Sequence, residues 1–205
     1  MLIMPVSKEL ILPKFIAVTG QEASGKDSYA NHLSELGYMH VAAGDVLRER
    51  ARAKGYSDPI PRSILSLMGD ELKEEFGDRP IVKSVLERYK VQSSDFPSGL
   101  VISGIRRIGE LRAFKDAGAV SLWIEVEEEV RVENHFRRGR SSESKEEFLE
   151  RSQMEYLGQT SGGIDGVNVQ AIEQLADCVV VNNGSLKDLF TNGDQVLCQY
   201  EAKRV

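Results

Sequence analysis

Residues 15–28 read Phe-Ile-Ala-Val-Thr-Gly-Gln-Glu-Ala-Ser-Gly-Lys-Asp-Ser, and this stretch decides the fold. An apolar run leads directly into the pattern Gly20-x-x-x-x-Gly25-Lys26, and a helical pattern follows. A glycine-rich turn between a strand and a helix presents backbone N–H groups and a helix N-terminus to an oxyanion. Lys26 adds a mobile positive charge for the β- and γ-phosphates of a nucleotide. The stretch therefore predicts a phosphate-binding loop for a triphosphate of the ATP or GTP type.

The residue after the lysine departs from the usual form of this loop. A Ser or Thr hydroxyl normally ligates magnesium there, whereas this chain has Asp27 followed by Ser28. A carboxylate is a hard oxygen ligand that suits Mg²⁺, so Asp27 is predicted to ligate the metal directly or to accept a hydrogen bond from a metal-bound water. The residues predicted to hold the nucleotide and its metal in this loop are Gly20, Ala23, Ser24, Gly25, Lys26, Asp27 and Ser28.

The composition limits the classes of function. The chain has 205 residues, of which 41% are hydrophobic, and this suffices for one domain with a real core. Its formal net charge of −6 argues against a general nucleic-acid binder. The two cysteines form no CxxC pair, so no zinc site is expected. No stretch approaches the roughly 20 apolar residues of a membrane span, and the N-terminus lacks signal-peptide features. We therefore expect a cytoplasmic protein with no membrane partner.

Five short apolar runs predict strands, and helical patterns separate them. Continuously apolar strands are typical of a parallel sheet that is covered on both faces, and their alternation with helices predicts an α/β fold. The segment 45–95 is longer than one crossover requires, so it is predicted to be an all-helical insert that covers a second substrate. The segment 157–168 is predicted to be a loop, and no element is assigned after Phe190. The predicted strands are Phe15–Thr19, Tyr38–Ala42, Leu100–Ser103, Val120–Val126 and Cys178–Asn182.

The second predicted strand leads into Gly44-Asp45-Val46-Leu47-Arg48. Here the chain resembles the nucleoside-monophosphate kinase superfamily of P-loop proteins, adenylate kinase in particular, which carries a Gly-Asp-x-Leu-Arg segment at this point. The resemblance implies that Asp45 and Arg48 belong to the acceptor site and that the arginine grips the acceptor's phosphate. A guanidinium presents a planar fork to phosphate oxygens, which agrees with that role. The alternative interpretation makes Asp45 a helix N-cap and Arg48 a solvated helix residue.

The third predicted strand ends in Ser103-Gly104-Ile105-Arg106-Arg107. Adenylate kinases carry a similar Asp-Gly-x-x-Arg turn, whose Asp belongs to the network around the metal and whose Arg holds the acceptor phosphate. Gly104 and Arg107 fit this pattern, and Arg106 fits it after a shift of one residue. Ser103 does not match the Asp. We therefore expect Arg106 or Arg107 to bind the acceptor, and we hypothesise that Asp27 supplies the carboxylate that Ser103 lacks.

A basic segment runs from Arg131 to Arg140, ahead of a predicted helix at 145–157. It resembles a short form of the lid of the same superfamily, whose arginines close over the donor and neutralise the transferring phosphoryl group. Phosphoryl transfer depends mainly on positioning and electrostatic help. The resemblance implies catalytic roles for Arg138, Arg140 and Arg151, with Arg137 as a further candidate, beside Lys26 of the loop. The alternative is a solvated basic helix end, which the helix dipole favours.

The last predicted strand ends in Asn182-Asn183-Gly184-Ser185-Leu186. This segment resembles the C-terminal part of dephospho-coenzyme A kinases, in which the loop after the strand lies near the adenine of ATP. Asn182 and Asn183 would then offer amide hydrogen bonds to the base. A plain turn is the alternative, because Asn-Gly is a favoured turn pair.

Together the segments predict a three-layer P-loop NTPase fold with a five-stranded parallel sheet. The expected domain spans 1–205, with a core of 14–44, 99–130 and 170–190, a helical acceptor-binding insert at about 45–95 and a short lid at about 136–150. We expect a monomer or homodimer that transfers the γ-phosphoryl group of ATP, with Mg²⁺, to a nucleotide-like small molecule and not to a nucleic acid polymer. A nucleoside or deoxynucleoside monophosphate is the first acceptor expected.

Two alternative functions stay open at this point. Dephospho-coenzyme A would be phosphorylated on a ribose hydroxyl, with Asp45 as the general base. A nucleotide-binding regulator would bind ATP with little turnover, since phosphate binding alone does not establish catalysis.

Overall fold

The computed structural model describes residues 11–77, 79–137, 139, 143–159 and 167–204. Within them, five strands form one sheet, namely β1 (Phe15–Gly20), β2 (Tyr38–Ala42), β3 (Gly99–Ser103), β4 (Val120–Glu125) and β5 (Cys178–Val181). All neighbouring strands run parallel, in the order β2-β3-β1-β4-β5. The predicted α/β fold with a five-stranded parallel sheet is confirmed. The carboxyl ends of the strands share one edge of the sheet, where open α/β sheets bind their ligands.

Helices connect these strands and cover both faces of the sheet. They are α1 (Lys26–Glu35), α2 (Ala43–Ala53), α3 (Arg62–Phe76), α4 (Pro80–Gln92), α5 (Ile108–Asp116), α6 (Glu128–Arg137), α7 (Lys145–Tyr156), α8 (Val169–Gln174) and α9 (Leu186–Arg204). Between β2 and β3 the chain forms α2, α3 and α4, in the segment where the sequence predicts an all-helical insert.

The central strand β1 separates two hydrophobic cores. Ile16 and Val18 point to one face, where α1 and α9 pack on the sheet through Leu33 and Leu189. Ala17 points to the opposite face, since successive side chains of a strand alternate. The core on that face includes Leu111 and Phe114 of α5, Val82 and Val85 of α4 and Ile172 of α8. This is a three-layer arrangement that fixes the end of β1 and the start of α1 from both sides.

The sequence prediction omits α8 and α9. Residues 191–204, left unassigned above, continue α9, and local signals for this helix are present. Ser185 and Asp188 form reciprocal side-chain to backbone hydrogen bonds of 3.1 and 3.2 Å, as in a capping box. Leu189, Gly193 and Leu197 recur every four residues and are buried. In the described part of the chain, no helix has the length and apolarity that crossing a membrane requires.

Candidate active site

The phosphate-binding loop lies between β1 and α1, as the sequence predicts. Gly25 is the N-cap residue of α1 and has φ +95°, in the left-handed region that glycine adopts without penalty. A Cβ atom at this position would lie 2.6 Å from Nδ2 of Asn182. Ala23 also has a positive φ, +65°, which is uncommon for a residue with a side chain. The loop therefore contains the left-handed backbone conformations from which anion-binding nests are built.

Lys26 is folded back over the loop that precedes it. Its side chain is buried, and Nζ donates a hydrogen bond of 3.4 Å to the carbonyl of Gln21. A Cβ atom at Gly104, which follows β3, would lie 3.8 Å from Cε of Lys26. The ammonium group is thus positioned at the loop, beside the end of the neighbouring strand.

The two asparagines after β5 have different partners. Nδ2 of the buried Asn182 donates a 2.8 Å hydrogen bond to the carbonyl of Ser24 and so supports the phosphate-binding loop. The exposed Asn183 accepts a hydrogen bond from Glu127 N, and its amide donates to the Glu127 carboxylate, at 2.9 and 2.8 Å. Asn183 thus joins the β5 loop to the start of α6, and its amide is engaged there.

A cleft opens beside the loop, between α1, α6 and the segment after β5. The space between its walls, together with the open solvent at its mouth, has a volume of about 460 Å³. Arg137 lies at its rim and donates a 2.7 Å hydrogen bond to Asn134, whose own amide contacts the carbonyl of Ala23 at 3.5 Å. The lining residues are Ala23, Gly25, Ser28, Asn134, Arg137, Asn182 and Leu186. Asn134 and Leu186 lie in segments that the sequence analysis singles out, but neither residue was assigned a role there.

The carboxylate of Asp27 meets the end of β3 on the other side of the loop. Ser103 Oγ donates to Asp27 Oδ1 at 3.3 Å, and Asp27 is exposed. The structure therefore places the Asp27 carboxylate next to the position where the sequence comparison expects an Asp and finds Ser103. Among the described residues, no cluster of His, Cys, Asp or Glu is arranged to bind a metal by itself. One carboxylate together with nucleotide phosphates and water is the usual donor set for Mg²⁺, and Asp27 fits that chemistry.

Arg107 lies on the insert side of the sheet edge. It precedes α5, is half-buried, and points over α3, where a Cβ atom at Gly69 would lie 3.7 Å from its Nη2. In the described part of the chain, its guanidinium makes no hydrogen bond or ion pair. Nearby on α2, Nη1 of Arg48 donates to Asp45 at 2.6 Å, with 42% of the arginine side chain exposed. Arg48 and Arg107, two of the three arginines predicted for the acceptor, therefore lie on the insert side of the sheet edge.

Arg106 points to the other side and is paired with an acid. Its Nη1 lies 2.7 Å from Oε2 of Glu155 on α7, and its backbone carbonyl accepts from Asn168 N at 3.1 Å. Of the two candidates that the sequence offers for the acceptor, Arg106 is engaged with α7 and Arg107 is not.

Arg151, which the sequence assigns to the lid, connects α7 to the phosphate-binding loop. Its Nη1 lies 2.7 Å from Glu22 of the loop, and its Nε and Nη2 lie 3.0 and 2.8 Å from the Glu143 carboxylate. These hydrogen bonds, to Glu143 first and to Glu22, raise the pKa of Arg151 above its ordinary value. Arg138 and Arg140 lie outside the described residues.

Sequence reasoning missed a buried cation beside this group. Arg131 of α6 is 5% exposed, donates to Ser152 Oγ and lies 5.3 Å from the ring centroid of Phe148. Burial lowers its pKa below the ordinary value. Arg151 also lies close to this ring, 5.5 Å from its centroid. We call Arg106, Arg131, Arg151, Glu22, Glu143 and Glu155 the lid-side cluster.

Comparison with known proteins shows the family of the chain. A UPF0200 protein from Methanoculleus marisnigri is 30% identical over 190 residues, which cover 91% of this chain and 96% of that protein. The chain belongs to the UPF0200 family. A UPF0200/UPF0201 protein from Archaeoglobus fulgidus is 31% identical over 90% of this chain, which spans only 55% of the length of that relative. No family model matches the chain.

Solved structures share the fold at low sequence identity. A gluconokinase from Sinorhizobium meliloti superposes with a TM-score of 0.54 and 18% identity, over 94% of this chain and 96% of that one. A shikimate kinase from Acinetobacter baumannii, in complex with shikimate, gives a TM-score of 0.54 and 16% identity, over 95% and 96% of the two chains. The fold of this protein is therefore that of the P-loop kinases, as the sequence resemblance implies.

Proposed function

We propose that this UPF0200 protein is an ATP-dependent kinase that transfers the γ-phosphoryl group to a nucleotide acceptor that already carries a phosphate, namely a nucleoside or deoxynucleoside monophosphate. The reaction class is supported by the phosphate-binding loop and by the fold shared with proteins named as small-molecule kinases. The acceptor class rests on one observation, the half-buried Arg107, whose guanidinium makes no hydrogen bond or ion pair in the described part of the chain, although the charge of Glu110 acts on it from a longer distance.

The donor is assigned to the loop and its adjoining cleft. Backbone N–H groups of residues 20–26 and the Lys26 ammonium would bind the phosphates of ATP. The cleft lined by Asn134, Arg137 and Leu186, which adjoins the loop, would receive the base. Asp27 would hold Mg²⁺, and the Ser28 hydroxyl would be a second candidate ligand. The metal would neutralise charge on the phosphate chain.

The acceptor is assigned to the space between α3 and the end of β3. An unpaired cation that is half removed from water is costly, and a bound anion relieves that cost. A phosphate accepts two parallel hydrogen bonds from a guanidinium, so Arg107 suits a phosphorylated acceptor better than a neutral one. Arg48 donates to Asp45 through Nη1 only, so its remaining N–H groups would add a second contact from α2. The helices α2–α4 would then serve as the acceptor-binding insert, and the segment at about 136–150 as the lid.

An ATP-consumption assay against a panel of acceptors tests this proposal. The panel contains AMP, CMP, UMP, GMP, dTMP, the deoxy forms and dephospho-coenzyme A, with Mg²⁺ present and Lys26→Ala as the blank. We expect turnover that depends on Lys26 with one or more monophosphates. We expect Arg107→Ala to raise the KM of the acceptor and to leave ATP binding unchanged. Arg112→Ala, which removes an exposed arginine of α5, is the matched control.

Other results would identify the alternatives. Turnover with dephospho-coenzyme A alone would replace the phosphate acceptor by a hydroxyl acceptor. In that case Asp45→Asn would abolish transfer, whereas it would only weaken transfer to a phosphate, which is already ionised. Tight ATP binding without turnover on any acceptor would favour a nucleotide-binding regulator.

A further inference from the structure

A chain of hydrogen bonds reaches Asp27 from the neighbouring strands. His40 lies on β2, with Nε2 3.0 Å from the hydroxyl oxygen of Ser103, the last residue of β3. That hydroxyl oxygen lies 3.3 Å from Oδ1 of Asp27. On its far side, Nδ1 of His40 lies 3.1 Å from the side-chain amide of Asn31 on α1. The carboxylate assigned to the metal is thus the end of a path that begins on the same helix and passes through two strands.

The proton count selects one arrangement of this path. Ser103 has a single hydroxyl proton, so it donates either to His40 or to Asp27. Donation to His40 would leave lone pairs of the hydroxyl facing the carboxylate at 3.3 Å. Donation to Asp27 satisfies every group, and it requires that Nε2 of His40 carries a proton and donates to Ser103.

The surroundings of His40 agree with this arrangement. Burial lowers the pKa of the imidazole, although the charges of Asp27 and Asp45 oppose the shift. A neutral ring with its proton on Nε2 leaves Nδ1 as an acceptor, which the NH₂ group of Asn31 satisfies once its amide is oriented accordingly. Asn31 is exposed, so this orientation costs little.

Without the hydrogen bond from Ser103, little would fix the orientation of the Asp27 carboxylate. It lies in the first turn of α1 and is exposed, so it has several accessible rotamers. Ser103, by contrast, is fully buried and fixed within the sheet. A donor on a rigid strand end can therefore hold a mobile carboxylate in one orientation.

We propose that Ser103 and His40 are positioning residues that hold the Asp27 carboxylate in place for magnesium, so that three residues together replace the single strand-end Asp of related kinases. This inference rests on the proposed function, because it concerns the metal of the donor site. Partners outside the metal's own ligands orient those ligands, and their loss typically lowers metal affinity roughly 10- to 100-fold.

Calorimetric titration with ADP, with and without Mg²⁺, measures how far the metal strengthens nucleotide binding. We expect Ser103→Ala and His40→Leu to lower that enhancement by about tenfold or more while metal-free ADP binding stays unchanged. His40→Gln places an amide N–H near the position of Nε2 and should retain most of the enhancement. His32→Gln is the matched control, because His32 lies on α1 itself and pairs with Asp194 at 2.9 Å and not with Ser103.

The outcomes separate this inference from the proposed function. Wild-type protein that binds no ADP with or without Mg²⁺ would overturn the proposed function and the metal role together. Wild-type protein that shows the enhancement, with Ser103→Ala and His40→Leu showing it equally, would overturn the positioning role alone. Equal loss of metal-free binding in both variants would also overturn it, because the residues would then support the loop as a whole.

Nitrogen-15 NMR of the imidazole gives a second, nucleotide-independent test. The expected result is a proton on Nε2 of His40 in the free protein. A ring protonated on Nδ1 alone would overturn the hydrogen-bond path that the proposal requires.

Discussion

The arginines on the two sides of the sheet edge have opposite surroundings. In the lid-side cluster, Arg151 has carboxylates within 3.0 Å, and Arg106 has one at 2.7 Å. On the insert side, Arg107 lies over Gly69 without an acidic partner in the described part of the chain. Arg106 and Arg107 are adjacent in the sequence, yet they belong to different environments because they point to different sides of the same strand end.

This difference distinguishes cations that hold the protein together from a cation that can bind a ligand. A paired guanidinium already has its hydrogen bonds, so a phosphate gains little by displacing a carboxylate. An unpaired, half-buried guanidinium gains a great deal from an anion. We therefore expect substitutions in the lid-side cluster to change stability, and substitution of Arg107 to change catalysis.

The largest effects should come from replacing each of the two adjacent arginines by alanine in turn. We expect Arg107→Ala to lower kcat/KM for the acceptor roughly 10- to 150-fold, the equivalent of about 1.5–3 kcal/mol for hydrogen bonds to a charged group. Its free energy of unfolding should change little. Arg106→Ala should do the reverse, since it leaves Glu155 with its side chain only 10% exposed and without this partner. Steady-state kinetics and urea unfolding of both variants measure the two effects, and equal kinetic losses would contradict the comparison.

Arg151 tests whether the lid-side cluster is structural. Its side chain is 25% exposed, and Arg151→Gln would remove the charge that pairs with both Glu22 and Glu143, while His135 would stay 3.6 and 3.0 Å from these two acids. We expect a loss of about 2 kcal/mol in the free energy of unfolding, less than for a fully buried pair. Urea unfolding measures this loss. An unchanged stability together with a large fall in kcat would instead assign Arg151 to catalysis, as the sequence resemblance implies.

Glu110, on the insert side, makes the stability of the protein depend on pH. It is 4% exposed and accepts hydrogen bonds from Ile81 N and Val82 N at 3.0 and 2.8 Å. Burial raises its pKa above the ordinary value, although these hydrogen bonds and the nearby Arg107 oppose the shift. A raised folded-state pKa means that stability is present below the unfolded-state pKa and is lost as pH rises through the folded-state value.

The stability of wild type relative to Glu110→Gln should therefore decrease as pH is raised from about 4 to 7. Chemical unfolding at several pH values measures this trend. Glu87→Gln, at an exposed site of α4, is the control. A difference that grows with pH would contradict the assignment of burial as the dominant cause.

The smallest effect concerns the loop that both sides share. Ala23 has φ +65°, so Ala23→Gly should relieve a left-handed conformation that costs a residue with a side chain roughly 1 kcal/mol. Thermal unfolding should show a modest stabilisation, and Mg·ADP binding should weaken slightly because the loop becomes more flexible. A destabilised variant would mean that the methyl group of Ala23 packs more favourably than its backbone geometry suggests.

Local sequence patterns predict the fold and the loop, because a strand, a glycine turn and a helix start are specified by adjacent residues. The helix α9 was missed despite a capping pair at Ser185 and Asp188, since its polar composition obscured three buried positions. The acidic partners of Arg106 and Arg151, and the different surroundings of Arg107, could not be predicted. They depend on which side of the sheet edge each side chain occupies, and that is set by packing between distant segments.

At the proposed metal site, the sequence indicates Asp27 and Ser103 but not His40. The sequence shows that Ser103 lacks the carboxylate of its expected counterpart, and the structure places Asp27 beside it. His40 has no sequence pattern that marks it, because its contact with Ser103 arises only when β2 and β3 pair. Direct binding of magnesium by Asp27 and the roles of Arg138 and Arg140 stay predictions.

The close crossing of α9 over α1 has a mechanical consequence. A Cβ atom at Gly193 would lie 2.6 Å from the ring of Tyr29, and Asp194 accepts a 2.8 Å hydrogen bond from the Tyr29 hydroxyl. Because α1 is packed between the sheet and α9, the helix end proposed to bind the donor phosphates is held from both sides. We therefore expect any closing motion that the proposed reaction needs to come from α2–α4. We therefore expect truncation of α9 to weaken nucleotide binding first, although the truncated residues lie far from the phosphate-binding loop.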